Sequence, residues 1–236
     1  MNLDDRMKHY ENSVGNQFVL RCPAIARVDG RAFHTFTKGF DKPFDTLLNV
    51  CMQATAKELC KQISTAKVAY TQSDEISILL IDYDNFEMQQ FFDGRVQKLA
   101  SIIASIATMA FNAQIVTTSL AKRLAIFDCR VFSIPERDVA NYFVWRQQDA
   151  RRNAILGIAQ KLFPLKEVEG KNVVELIKMI GDEKLDSPDY PKSFYSGTLV
   201  EKQSYSLSGI ERTHWVEAVA LIFQEHPDWI AKYLPT

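Results

Sequence analysis

Two acidic turns, each at the end of an apolar run, limit how this chain can fold. Residues 25–28 are apolar except for Arg27 and stop at Asp29-Gly30. Residues 68–71 and 76–81 are apolar too, and Gln72-Ser73-Asp74-Glu75 lies between them. The first reads as a strand entering a tight turn, the second as a hairpin. Between them runs a loop at 39–43. A helix follows, with Asp45 or Thr46 as its cap and Leu47, Val50, Cys51, Ala54 and Leu59 along an apolar face. From about residue 93, Val96, Leu99, Ile103, Ile106 and Ala110 recur at intervals of three and four, predicting a second long helix. Residues 127–134 form a further strand, stopped by Pro135. This order predicts an α+β fold with a ferredoxin-like βαββαβ core. In that arrangement, loops at one sheet end bring Asp29 towards Asp74 and Glu75.

Beyond the core, helices are expected at 138–163, 173–180 and 215–223, with a loop at 181–191. These divide the chain into a catalytic domain at 1–136 and a helical C-terminal extension at 137–236. A length of 236 residues suits one domain with an appendage, or two small ones. The formal net charge of -1 excludes a globally basic protein, so any nucleic-acid surface must be a local patch. Cys22, Cys51, Cys60 and Cys129 form no C-x-x-C pair, and no histidine has zinc-ligand spacing. There is no apolar leader at residues 1–6 and no uninterrupted apolar stretch of roughly 18 residues. The expectation is a cytoplasmic protein with free thiols and no membrane partner.

Read alone, Asp29-Gly30 is an ordinary turn and Ser73-Asp74-Glu75 a solvated one. Brought together, their carboxylates are the minimum kit for a two-metal site, since Mg²⁺ prefers hard oxygen ligands. The backbone after Gly30, from Arg31 through Ala32 and Phe33 to His34, could turn its N–H groups towards phosphates. Lys42 is either a phosphate contact or an exposed loop lysine. Arg95, Lys98, Ser101 and Ser105 share one helical face, suited to phosphate or simply solvated. Arg146, Arg151, Arg152 and Asn153 are candidate RNA contacts, although acidic neighbours such as Asp149 interleave.

Several segments, in order, resemble the tRNA-His guanylyltransferase family, including its bacterial and archaeal Thg1-like members. They are Ala26-Arg27-Val28-Asp29-Gly30-Arg31-Ala32-Phe33-His34, Gly39-Phe40-Asp41-Lys42-Pro43, Gln72-Ser73-Asp74-Glu75, Phe127-Asp128-Cys129-Arg130-Val131 and Trp145-Arg146-Gln147-Gln148-Asp149. The resemblance implies a polymerase-palm fold that extends tRNA at its 5′ end, in the 3′-to-5′ direction. It implies two Mg²⁺ ions on Asp29, Asp74 and the Gly30 carbonyl, with Glu75 in support. GTP and ATP are the implied nucleotide substrates. They would be bound by the turn from Gly30 to His34 with Ser73, and by Lys42, Arg95 and Lys98. Arg130 joins the implied RNA contacts, and a homotetramer is the implied assembly.

One segment departs from the family. The eukaryotic pattern Cys-His-Ile-Asn-Asn-Leu is here Ala150-Arg151-Arg152-Asn153-Ala154-Ile155, which keeps only Asn153 and puts Arg151 in place of the histidine. The chain therefore resembles the Thg1-like branch, whose members repair truncated tRNA 5′ ends, more than enzymes that add one G to tRNA-His. A nucleotide cyclase and a non-catalytic RNA-binding module are the competing readings. The second is weakened because the strands at 25–28 and 76–81 lack aromatic residues for stacking bases.

Overall fold

The computed structural model describes residues 1–118, 123–185 and 187–235. Helix α1 (Leu3–Asn12) buries none of its side chains. Strand β1 (Ala24–Gly30) runs into the one-turn helix α2 (Phe33–Phe36). Helix α3 (Thr46–Gln62) is capped by Asp45, whose carboxylate accepts from the Leu48 N–H at 2.8 Å. Strands β2 (Ala66–Gln72) and β3 (Glu75–Leu80) form a hairpin with Ser73 and Asp74 as its two-residue loop. Helix α4 (Val96–Ile115) and strand β4 (Phe127–Ser133) complete the βαββαβ unit.

Helix α5 (Glu136–Leu162) follows, then α6 (Leu165–Val168), α7 (Val173–Ile180), α8 (Asp182–Leu185) and α9 (Lys192–Ser196). Strands β5 (Thr198–Leu207) and β6 (Ile210–Val219) come next, and 3-10 turns close the chain. The six strands form one antiparallel sheet in the order β4-β1-β3-β2-β5-β6.

Strand alternation sends successive side chains to opposite faces. Ala26, Val28, Ile76 and Ile78 join Met52 and Leu59 of α3 and Ile103 and Phe111 of α4 in one core. Ile25, Leu79 and Tyr70 join Phe143 of α5 and Phe223 in the other. Helix α4 is long and apolar enough to cross a membrane by composition. Its apolar stripe, however, lies in the first core, against α3 and β4.

Two expectations are corrected. Residues 215–223 were expected as a last helix, but β6 takes most of them. The deciding signal is Ser208-Gly209, where both residues have positive φ (54° and 76°), as a tight hairpin loop needs. That turn folds 210–219 back along 198–207. Second, the segment 137–236 is more than a helical extension. It supplies two strands to the sheet, through pairs such as Ala69 with Val200. The loop expected at 181–191 also contains α8, a single turn.

Candidate active site

Asp29, near the end of β1, is in register with Glu75 of β3 on one side and with Asp128 of β4 on the other. Directly opposed residues in a sheet share a face, so these side chains stand on the face covered by α5. The next residue, Gly30, donates its N–H to the Asp74 carbonyl at 3.1 Å, which ties the two acidic turns together. The convergence expected from strand order is thus present.

Asp74 has its carboxyl pKa raised above the ordinary 3.8. Burial is the largest cause and the negative charges of Asp29 and Glu75 add to it, against a hydrogen bond from the Ser73 hydroxyl at 3.0 Å. Both turns hold a non-glycine residue in the left-handed region, Ala32 at φ 54° and Ser73 at φ 50°. Such positions cost about 1 kcal/mol or more and are found where a turn has work beyond connection.

Gly30 is fixed by packing. A Cβ there would lie 2.2 Å from the Phe33 ring. Phe33 packs with Phe36, Phe111 and Phe127, ring centroids 4.9 to 5.7 Å apart. Its side chain is therefore core, and only its backbone faces the turn. Among the described residues, no acceptor is paired with the N–H groups of Ala32, Phe33 and His34. The Arg31 N–H is used, by the Ile126 carbonyl at 2.8 Å. The exposed His34 ring contacts its neighbour's hydroxyl, Thr35 Oγ1, at 3.0 Å.

Glu75 is gripped by Arg146 of α5: Nε donates to Oε1 at 2.7 Å and Nη2 to Oε2 at 2.6 Å, both side chains being buried. Arg146 also donates to Asp149 at 3.1 Å. Arg146 was expected on an RNA-binding surface, and the structure corrects this: its guanidinium is spent on two carboxylates inside the protein. Glu75 is thus spent on Arg146 while standing in register with Asp29. Arg151, Arg152 and Asn153 are exposed, with Arg152 paired to Asp149. Arg130 is exposed on β4, its side chain 4.0 Å from Asp128.

Lys42 is exposed and donates to Thr37 Oγ1 at 3.2 Å. The adjoining Pro43, Phe44 and Asp45 line a cavity of about 140 Å³ with Gln72 and Ser73 of the β2–β3 turn and Asn153 of α5. Arg95 and Lys98 do not join this site within the chain. Their neighbours Gly94 and Leu99 enclose a different cavity, with Ala24 and Leu80. Ala24 and Leu80 pair at the opposite ends of β1 and β3, roughly 17 Å along the strands from Asp29 and Glu75. Helix α4 begins beside Leu80, at the end of β3 remote from the β2–β3 turn. Ser101 and Ser105 bond back to carbonyls of their own helix.

Sequence reasoning passed over Arg27. It lies two residues before Asp29 on the same face, and its Nε is buried without a hydrogen-bond partner among the described residues. An arginine inside an otherwise apolar strand was the available signal. Among the described residues, no group of three or more His, Cys, Asp or Glu side chains is set to hold a metal. The donor set is instead two carboxylates and a backbone carbonyl. It still suits a hard divalent cation, because the carboxylates crowd one another and the nearby Arg146 is already paired.

Comparison with known proteins shows what this chain is similar to. Residues 4–135 match the family described as tRNAHis guanylyltransferase. A bacterial Thg1-like protein solved in complex with ATP superposes with a TM-score of 0.88, at 38% identity over 99% of both chains. One solved in complex with GTP gives 0.86, at 36% identity over 98% of both. The tRNA(His) guanylyltransferase of Debaryomyces hansenii is 34% identical over 137 residues, 55% of this chain and 50% of that protein. An uncharacterized protein, R259, of Acanthamoeba polyphaga mimivirus is 28% identical over 75% of this chain and 69% of its own. The alignment thus spans about half of the yeast enzyme and nearly all of the bacterial ones. By class this chain is a nucleotidyltransferase on an α+β fold. It belongs to the tRNAHis guanylyltransferase, or Thg1, family.

Proposed function

We propose that this chain adds nucleotides, GTP preferred, to the 5′ end of tRNA in the 3′-to-5′ direction, directed by a template. Repair of truncated 5′ ends is favoured over addition of one G to tRNA-His, because Arg151 replaces the histidine of the eukaryotic pattern. The observation that carries this reading is the contact between the Asp29-Gly30 and Asp74 turns, where Asp74 is raised by burial and by its acidic neighbours.

The 3′-hydroxyl of the incoming nucleotide attacks an activated 5′ phosphate, and diphosphate or AMP leaves. Asp29, Asp74 and the Gly30 carbonyl would hold two Mg²⁺ ions, which when bound lower the hydroxyl's pKa and stabilise charge on the leaving group. The unpaired N–H groups of Ala32, Phe33 and His34 donate to triphosphate oxygens, with the Ser73 hydroxyl beside them. Lys42 and Arg27 neutralise phosphate charge. Arg146 holds Glu75 so that Asp29 keeps its place. The cavity between Phe44, Ser73 and Asn153 takes the free nucleotide. A homotetramer in the cytoplasm completes the proposal.

The test is extension of 5′-truncated tRNA with labelled GTP and Mg²⁺. Loss of extension in Asp29→Ala and Asp74→Ala supports the mechanism, and parental rates in both overturn it. Cyclic products from GTP alone would instead indicate a cyclase.

A further inference from the structure

We propose that Trp145 and Phe132 form an aromatic shelf on which the 5′-terminal base of the RNA stacks. This rests on the reading of tRNA as substrate. Edge strand β4 turns Asp128, Arg130 and Phe132 to the sheet face that carries Asp29, Arg27 and Ile25, their partners in register. All three are exposed, Phe132 at 36%. Across from them on α5, Trp145 is 52% exposed, an unusual state for the largest apolar side chain. Tyr142 links the two rings, 5.8 Å from Phe132 and 5.9 Å from Trp145 between centroids, edge to face.

The shelf is continuous with the candidate active site. The Arg146 guanidinium lies 4.4 Å from the Trp145 ring centroid and also grips Glu75, the register partner of Asp29. One face of the indole is therefore backed by a fixed cation while much of the residue stays open. A cation suited to RNA phosphates flanks it, Arg130 with 57% of its side chain exposed. Open aromatic rings interleaved with arginines are the chemistry that binds unpaired nucleotides.

Sheet order assigns the base to RNA and not to the free nucleotide. Asp29 and Asp74 lie on β1 and in the β2–β3 turn. The cavity of about 140 Å³ lies on the β2 side of them, beside Gln72 and Ser73, and the shelf on the β4 side. An in-line displacement puts the attacking and leaving oxygens on opposite sides of the reacting phosphorus, which fits a reactant on each side of the carboxylates.

Trp215 and Trp229, the other two tryptophans, are buried, so fluorescence quenching by added ligand reads Trp145. Titration with 5′-truncated tRNA is expected to quench the parent chain, and Trp145→Phe is expected to bind the tRNA without the quench. Trp145→Ala is expected to weaken tRNA binding, read by filter retention, about tenfold or more, with KM for GTP unchanged. Phe132→Ala should give a smaller loss. Parental tRNA affinity in Trp145→Ala overturns the shelf while leaving the tRNA reading intact. Quenching by GTP without RNA also overturns it. A parent chain that retains no tRNA overturns the tRNA reading itself, and the shelf with it.

Discussion

Arg146 and Glu75 form a buried two-pronged ion pair, Nε to Oε1 at 2.7 Å and Nη2 to Oε2 at 2.6 Å, across 71 residues of chain. It joins α5 to the strand beside Asp29. Removing one partner leaves a buried charge alone, which costs about 3–5 kcal/mol. Arg146→Ala is expected to lower the urea midpoint accordingly. Arg146→Lys keeps the charge but loses the fork, and should recover only part of the stability. An Arg146→Ala chain with the parental midpoint would show that the pair holds nothing together.

Gly30 is expected to tolerate no side chain. In Gly30→Ala the new methyl meets the Phe33 ring 2.2 Å away, and the strain of overpacking is about 1–3 kcal/mol. Thermal melts should show the loss. Combining it with Phe33→Leu, which vacates part of the clash, should restore some of it, so the two substitutions are non-additive. Nucleotide addition should fall more than stability does, because the same shift moves Asp29 and the Gly30 carbonyl.

Asp74 should separate stability from activity. Its folded pKa is raised, so between the unfolded value of about 3.8 and the folded one the native state binds more protons. Stability contributed by this group therefore falls as pH rises through that window. Asp74→Asn is expected to melt at or above the parental temperature at neutral pH while losing nucleotide addition. Mg²⁺ is expected to raise the melting temperature of the parent and not of Asp74→Asn. Identical Mg²⁺ shifts in both chains would rule out Asp74 as a ligand.

Glu201 behaves in the opposite sense. Burial pulls its pKa up, but hydrogen bonds from Lys232 and Tyr233, with the Lys232 charge, outweigh burial and lower it below the ordinary 4.5. It therefore stabilises the chain above that value, and the contribution is lost as pH falls through the folded pKa. Denaturation curves should place Glu201→Gln about 1 kcal/mol below the parent at neutral pH. The gap should close in acid, and a pH-independent gap would contradict the linkage.

The β1 to β4 core could be read from sequence because its signals are local. Apolar runs ended at Asp29-Gly30, Asp45 capped α3, and the Ser73-Asp74 turn separated two strands. Residues 215–223 are expected as a helix, but the Ser208-Gly209 turn folds most of them into a hairpin strand instead. That hairpin also owes its place to a distant partner, since β5 pairs with β2 from about 130 residues away.

For the site, chain order was enough to bring Asp29 and Asp74 together, since adjacent strands of a ferredoxin-like sheet fix which turns share an end. Sequence alone thus determined the acidic turns, their residues and the family they resemble. Tertiary structure decided what lies around them. It buried Arg146 against Glu75, put Arg95 and Lys98 at the far end of the sheet, and left Trp145 open beside the site. A side chain's neighbours depend on which face and which end its element presents, and periodicity within one element cannot supply that.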